Sequence, residues 1–200
     1  MRGEILASAK QLNSSNEPQW RQLTALTHEQ PPQKLLFWLQ DTASLTQRLR
    51  DLSRGVFRVA VVAQGWQRPL RSERWALGIS DHRLALVRQV VLLCHDRPTV
   101  FARTIIPATT LSGKERLLAR LGTKPLGERL FADKSMVRGA VEVAVVSAHH
   151  RLFCAAGLPQ ARPAKRIWGR RSLFYLANKP LLVSEFFLPG LEYALKRATP

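Results

Sequence analysis

SLFYLANKPLLVSEFFL, residues 172–188, reads as two strands folded back on each other. The runs SLFYLA and LLVSEFFL are rich in Leu, Phe and Val and flank Asn178, Lys179 and Pro180, residue types that suit a short hairpin loop. Four upstream runs share this character: VFRVAVVA (56–63), HRLALVRQVVLLC (82–94), TVFARTII (99–106) and VRGAVEVAVVS (137–147). Between the third and fourth lies TLSGKERLLARLG (110–122). It reads as a helix with a capping box from Ser112 and Glu115 and a C-terminal stop at Gly122. TKPLGERLF (123–131) opens another short helix at Pro125. At the front, PPQKLLFWLQ (31–40) starts a helix on prolines. SLTQRLRDL (44–52) follows, with Ser44 as N-cap and Leu45, Leu49 and Leu52 at helical spacing. Hairpin-linked strands with helices before and between them predict an α+β fold, an antiparallel sheet with helices on one face.

With 200 residues and 46% hydrophobic content, one domain with one core is expected. Residues 1–30 are polar and weakly patterned and read as an N-terminal extension to a domain over 31–200. A basic loop insertion is expected at about 147–166, because residues 148–175 carry six Lys and Arg and no acid. No run reaches the roughly 18 apolar residues of a membrane span, and MRGEILASAK lacks the apolar centre of a secretory signal. A cytoplasmic location is therefore expected. Of the two cysteines, Cys94 ends the apolar run VVLLC, where a reduced, buried thiol is expected.

Lys and Arg outnumber Asp and Glu 31 to 14, a formal charge of +17. Polyanions bind such a surface, specifically or not. Yet there is no zinc-finger spacing, ribonucleoprotein aromatic motif or basic zipper, so no specific nucleic-acid partner is expected. Most of the charge reads as solvated surface, which would also steer a small dianionic metabolite.

Strands covered on both faces should hold few charges, because burying an unpaired ion costs several kcal/mol. Three charges break this rule. Arg88 shares strand parity with Leu86, Val90 and Leu92, Arg103 with Phe101 and Ile105, and Glu185 with Leu181, Val183 and Phe187. Glu185 and one arginine could form a structural ion pair. Alternatively all three line a closed cavity whose ligand brings carboxylates, which the planar guanidinium fork meets with two parallel hydrogen bonds. His149, His150 and Cys154 lack the further ligands a metal site needs, so no metal is expected. SGKE lacks the glycine spacing of a phosphate loop, and neither a G-x-S-x-G elbow nor an HExxH pair occurs.

Two stretches carry a resemblance: residues 102–131, ARTIIPATTLSGKERLLARLGTKPLGERLF, and residues 167–189, IWGRRSLFYLANKPLLVSEFFLP. The combination R-T-x-x-P, T-L-S-G, L-G-x-x-P-L-G, W-G-R-R-S, K-P-L-L and E-x-F-L-P resembles the chorismate lyase family over roughly residues 31–189. The resemblance implies a six-stranded antiparallel sheet flanked by helices, with a ligand enclosed beneath two helical flaps. It implies cleavage of chorismate to 4-hydroxybenzoate and pyruvate without a cofactor, as the first committed step of ubiquinone biosynthesis, by a monomer. Carried over, Arg88 matches the arginine holding the ring carboxylate, and Glu185 the carboxylate that meets the 4-hydroxyl. Leu45 and Leu126 match flap positions that offer main-chain groups to the ring carboxylate. Arg103 matches a second arginine, assigned to the enolpyruvyl carboxylate. The 147–166 stretch and the N-terminal extension depart from the family pattern without removing any of these residues.

Two other readings compete. A related fold serves as the effector domain of bacterial regulators, which suggests a non-catalytic small-ligand sensor. The 30 residues before the domain are too few for the DNA-binding domain such regulators carry. A nucleic-acid or anionic-membrane accessory role would demand tight, salt-sensitive binding, whereas the lyase is compatible with weak adsorption to anionic surfaces.

Overall fold

The computed structural model describes residues 17–27, 29–147, 150, 152 and 166–198. Cys154 and most of the basic stretch lie outside them. Among the described residues the sheet has seven strands: β1 (Phe57–Gln67), β2 (Ala85–Cys94), β3 (Arg97–Pro107), β4 (Val137–Arg138), β5 (Glu142–Val146), β6 (Ile167–Leu176) and β7 (Lys179–Phe187). All pairings are antiparallel, in the order β1-β2-β3-β7-β6, with β4 and β5 both on the outer edge of β6.

The expected six strands become seven because VRGAVEVAVVS divides. From Arg138 to Glu142 this chain advances four residues, while β6 moves only three between their partners, Phe174 and Arg171. The extra residue is a bulge-like irregularity, which ends one ladder, starts another and re-aims side chains. Without it Arg138 and Val143, five residues apart, would face opposite sides. Their partners Phe174 and Arg170 share a parity on β6, so the irregularity puts both on one face.

The β6–β7 hairpin forms as expected but tighter. Its turn residues are Ala177 and Asn178, at φ 46° and 63°, while Lys179 and Pro180 belong to β7. Two consecutive left-handed residues match the twist of the flanking strands.

Among the described residues, helices α1 (Gln33–Gln40), α2 (Leu45–Leu52), α3 (Arg71–Leu77), α4 (Leu126–Phe131) and α5 (Gly190–Ala198) accompany the sheet. Ser44 caps α2 as expected, its hydroxyl accepting from Gln47 N at 3.4 Å. The Ser112–Glu115 capping box does not form. Residues Gly113–Arg120 make a 3-10 helix, Ser112 Oγ donates to Thr109 O, and Glu115 accepts from Lys179 Nζ at 2.7 Å. A buried carboxylate gains more from a lysine than from a backbone N–H, and this interaction outranks burial in holding the Glu115 carboxyl below its usual range. Gly122, at φ 57°, supplies the expected left-handed stop.

Helices cover both faces, not one. On the first face, Val90, Leu92 and Val100 pack against Leu39 of α1, Leu49 of α2 and Leu191 of α5. On the second, Val87, Ile105 and Leu182 meet Leu77 of α3, while Phe101 and Phe186 pack with Trp20. The sequence RSERWAL has no long apolar stripe, so periodicity does not predict α3. Its N-terminus is capped locally, Leu70 N donating to Glu73 Oε2 at 2.8 Å, and from far away, with Arg71 N and Ser72 N both donating to the Glu17 carboxylate at 2.9 Å. No helix among the described residues is long and apolar enough to cross a membrane.

Candidate active site

The strand register gathers one set of residues on the first face. Arg88 lies opposite Thr104, Thr104 opposite Val183, Ala102 opposite Glu185, and Glu185 opposite Arg170. Together with Arg138 these residues line a cavity roofed by the N-terminal ends of α2 and α4, through Leu45, Thr46, Leu126 and Gly127. The two roof helices touch closely. A Cβ on Gly127 would stand 2.8 Å from Thr46 Oγ1, so only glycine lets them meet in this way. The volume open to the centre of a water molecule is ≈ 50 Å³, on the order of a few waters.

At one end stands Arg88, 2% exposed. It donates to Gln64 Oε1 at 3.1 Å, Gly122 O at 2.8 Å and Lys124 O at 3.4 Å. All three acceptors are neutral. Burial pushes its pKa down, because no carboxylate among the described residues compensates its lost hydration. A bound anion would supply that compensation.

At the other end, Arg170 Nε donates to Glu185 Oε2 at 2.6 Å, and Arg170 Nη1 donates to Trp38 O at 2.7 Å and Asp41 O at 2.5 Å. These carbonyls belong to the C-terminal end of α1, where a cation is favoured. Arg138 stands beside them, its Nε donating to Ser172 Oγ at 3.1 Å and its Nη1 to Thr42 O at 2.8 Å. Burial pushes the Asp41 carboxyl up, but hydrogen bonds from Arg48 and Ala43 N, with the charges of Arg48 and Arg170, outweigh it and hold it below the usual range.

Arg88 and Glu185 thus meet in one cavity with Leu45 and Leu126, but Arg103 does not. Its neighbours across the sheet are Gln89 and Ser184, one residue out of step with Arg88 and Glu185. Its side chain is on the second face, where Nε and Nη2 donate to Glu73 at 2.7 and 3.0 Å. The expectation that all three charges line one cavity is corrected on this point, because parity within a strand cannot say which face two strands share. Arg103→Ala would leave the Glu73 carboxylate buried without its cation. It is expected to lower unfolding free energy by about 3–5 kcal/mol. A loss under about 1 kcal/mol in denaturant titration would contradict this structural role.

Sequence reasoning missed Arg138 and Arg170. Arg170 sits in WGRRS, within a basic, acid-free stretch that resembles solvated loop. Its alternation with Trp168, Ser172 and Phe174 was the available signal. For Arg138 the available signal was Gly139, a glycine inside an apolar strand run, which can mark a bulge.

Residues 15–196 match the profile of the chorismate lyase family. The chain belongs to the chorismate lyase family. Among its relatives, a probable chorismate pyruvate-lyase of Thiobacillus denitrificans is 44% identical, the match covering 81% of this chain and 86% of that protein. One from Methylococcus capsulatus is 43% identical over 77% of this chain and 94% of the relative. One from Psychromonas ingrahamii is 45% identical over 79% and 84%. Among solved structures, a GntR-family transcriptional regulator from Bacillus cereus superposes with TM-score 0.50 at 14% identity, over 68% of this chain and 93% of that one. The possible regulator YydK from Bacillus subtilis gives 0.50 at 11%, over 96% and 80%. At such identities the regulators share with this chorismate lyase family member only the fold.

Proposed function

We propose that this protein is a chorismate pyruvate-lyase that converts chorismate to 4-hydroxybenzoate and pyruvate in the cavity beneath α2 and α4. The observation that carries the reading is a cavity with, at one end, an arginine that has no carboxylate partner among the described residues and, at the other, a carboxylate, in a chain of this family. Chorismate brings a ring carboxylate and, para to it, a ring carbon that bears a hydroxyl. Arg88 takes the ring carboxylate, helped by main-chain N–H groups of Leu45 and Leu126, which begin their helices and so have no intrahelical acceptor. Glu185 meets the 4-hydroxyl through Oε1, the oxygen not engaged by Arg170.

The reaction removes the proton from the hydroxyl-bearing carbon and breaks the adjacent carbon–oxygen bond. Enolpyruvate leaves and becomes pyruvate, and the ring becomes aromatic. No oxidation state changes overall, and aromatisation supplies the driving force, so the chemistry calls for no redox cofactor. The protein holds one conformer, excludes water and stabilises charge on the departing ether oxygen. Glu185 orients the 4-hydroxyl and relays the proton lost from that carbon to the departing enolpyruvate, so that no proton is gained or lost overall. In this reading the reaction runs in the cytoplasm, in a monomer that supplies 4-hydroxybenzoate for ubiquinone synthesis. The basic surface adds at most weak adsorption to anionic surfaces.

Incubating the purified protein with chorismate and a chelator, without added cofactor, should yield 4-hydroxybenzoate and pyruvate in equal amounts. Saturable 4-hydroxybenzoate binding without turnover would replace the enzyme reading with that of a ligand sensor.

A further inference from the structure

The cavity walls carry three guanidinium groups, Arg88, Arg138 and Arg170, and one carboxylate, Glu185. That excess of two positive charges suits a dianion. Arg88 accounts for one carboxylate of the proposed substrate. It lies on β2, two strands from Glu185 on β7, roughly 10 Å at the usual interstrand spacing. The other two cations stand at the Glu185 end.

Both have unused donors there. Arg170 is 1% exposed, and its Nη2 is buried without a hydrogen-bond partner among the described residues. An orphaned buried donor of a charged group is costly unless something occupies it. Arg138 spends Nε and Nη1 on Ser172 and on the carbonyls of Thr42 and Asp41, leaving Nη2 without an acceptor among the described residues. Its side chain stacks on the Phe174 ring, 5.1 Å from the centroid, which fixes the plane of its fork. Burial, then the charge of Arg170, push the Arg138 pKa down, while Glu185 and Asp41 oppose them. Of the two carboxylates that act on Arg138, only Glu185 lines the cavity, and it already accepts from Arg170 Nε, so the cavity side of the pair has room for another anion.

We propose that Arg138 and the free Nη2 of Arg170 form the subsite for the second carboxylate of the substrate, the one on the enolpyruvyl arm. This deepens the lyase reading and rests on it. The arm hangs from the ring carbon next to the hydroxyl-bearing one, so a ring with its carboxylate on Arg88 and its hydroxyl on Glu185 points the arm towards these cations. The subsite takes the position that the resemblance assigned to Arg103, which the register places on the other face. It binds the α-keto or enol acid half of the molecule, and 4-hydroxybenzoate has no group to fill it.

The test separates substrate from product. In Arg138→Gln, which keeps reach towards Thr42 O and loses the charge, kcat/KM for chorismate is expected to fall by about 10²-fold. The Kd for 4-hydroxybenzoate should stay within about threefold of the parent protein, and Arg138→Lys should recover part of the loss. Equal losses for chorismate and 4-hydroxybenzoate would overturn the subsite and leave Arg138 as a brace for the 41–44 turn. So would unchanged kcat/KM. Both comparisons use a parent protein that releases pyruvate from chorismate. A parent that releases none overturns the lyase reading first and the subsite with it.

Discussion

In Glu185→Gln, kcat for chorismate is expected to fall by about 10²-fold or more, the lower end of what a positioned proton-transfer group contributes. Glutamine has nearly the same shape, but it cannot take up a proton and cannot neutralise Arg170, whose Nε it would face at the present 2.6 Å contact. Two losses are therefore combined, and KM helps to separate them. Loss of proton transfer is felt in the transition state and lowers kcat, whereas an unneutralised Arg170 alters how the ground state binds. Steady-state kinetics on the purified variant makes the distinction. Retention of most of the turnover would leave Glu185 only the task of orienting the 4-hydroxyl.

Arg88→Ala is expected to weaken chorismate and 4-hydroxybenzoate together, each by about 30-fold or more, since removing one partner of a buried charged hydrogen bond costs roughly 2–5 kcal/mol. The two ligands share the ring carboxylate, so their losses should be parallel, unlike the split expected at Arg138. The arginine also braces the segment that carries α4, through Gly122 O and Lys124 O. Arg88→Lys serves as the control. It keeps the charge but cannot fork, so it should bind both ligands with intermediate affinity. Calorimetric titration with 4-hydroxybenzoate reads this directly, and unchanged product affinity in Arg88→Ala would remove the arginine from the carboxylate site.

The apolar runs were legible as strands because Val, Ile, Leu and Phe alternate or cluster between turn residues. The caps at Ser44 and Gly122 were legible because they act within a few residues of chain. Arg88 and Glu185 were legible as anomalies, charges at apolar parity. What failed shares a cause. The Ser112–Glu115 box lost to Lys179, and α3 is capped by Glu17, more than fifty residues away. Each depends on a group brought close only by folding.

The amino-acid order alone therefore established the α+β class, the antiparallel hairpins, the family resemblance, and two charged residues out of place in a sheet. The tertiary structure decided which charges meet. Side chains on a strand alternate with period two, so a single residue of register decides between cavity and back face. By that margin Arg103 pairs with Glu73 behind the sheet, while the irregularity between β4 and β5 turns Arg138 inward beside Arg170. Sequence periodicity supplies the alternation within each strand. The phase between strands comes from pairing and packing across the sheet, which no local pattern encodes.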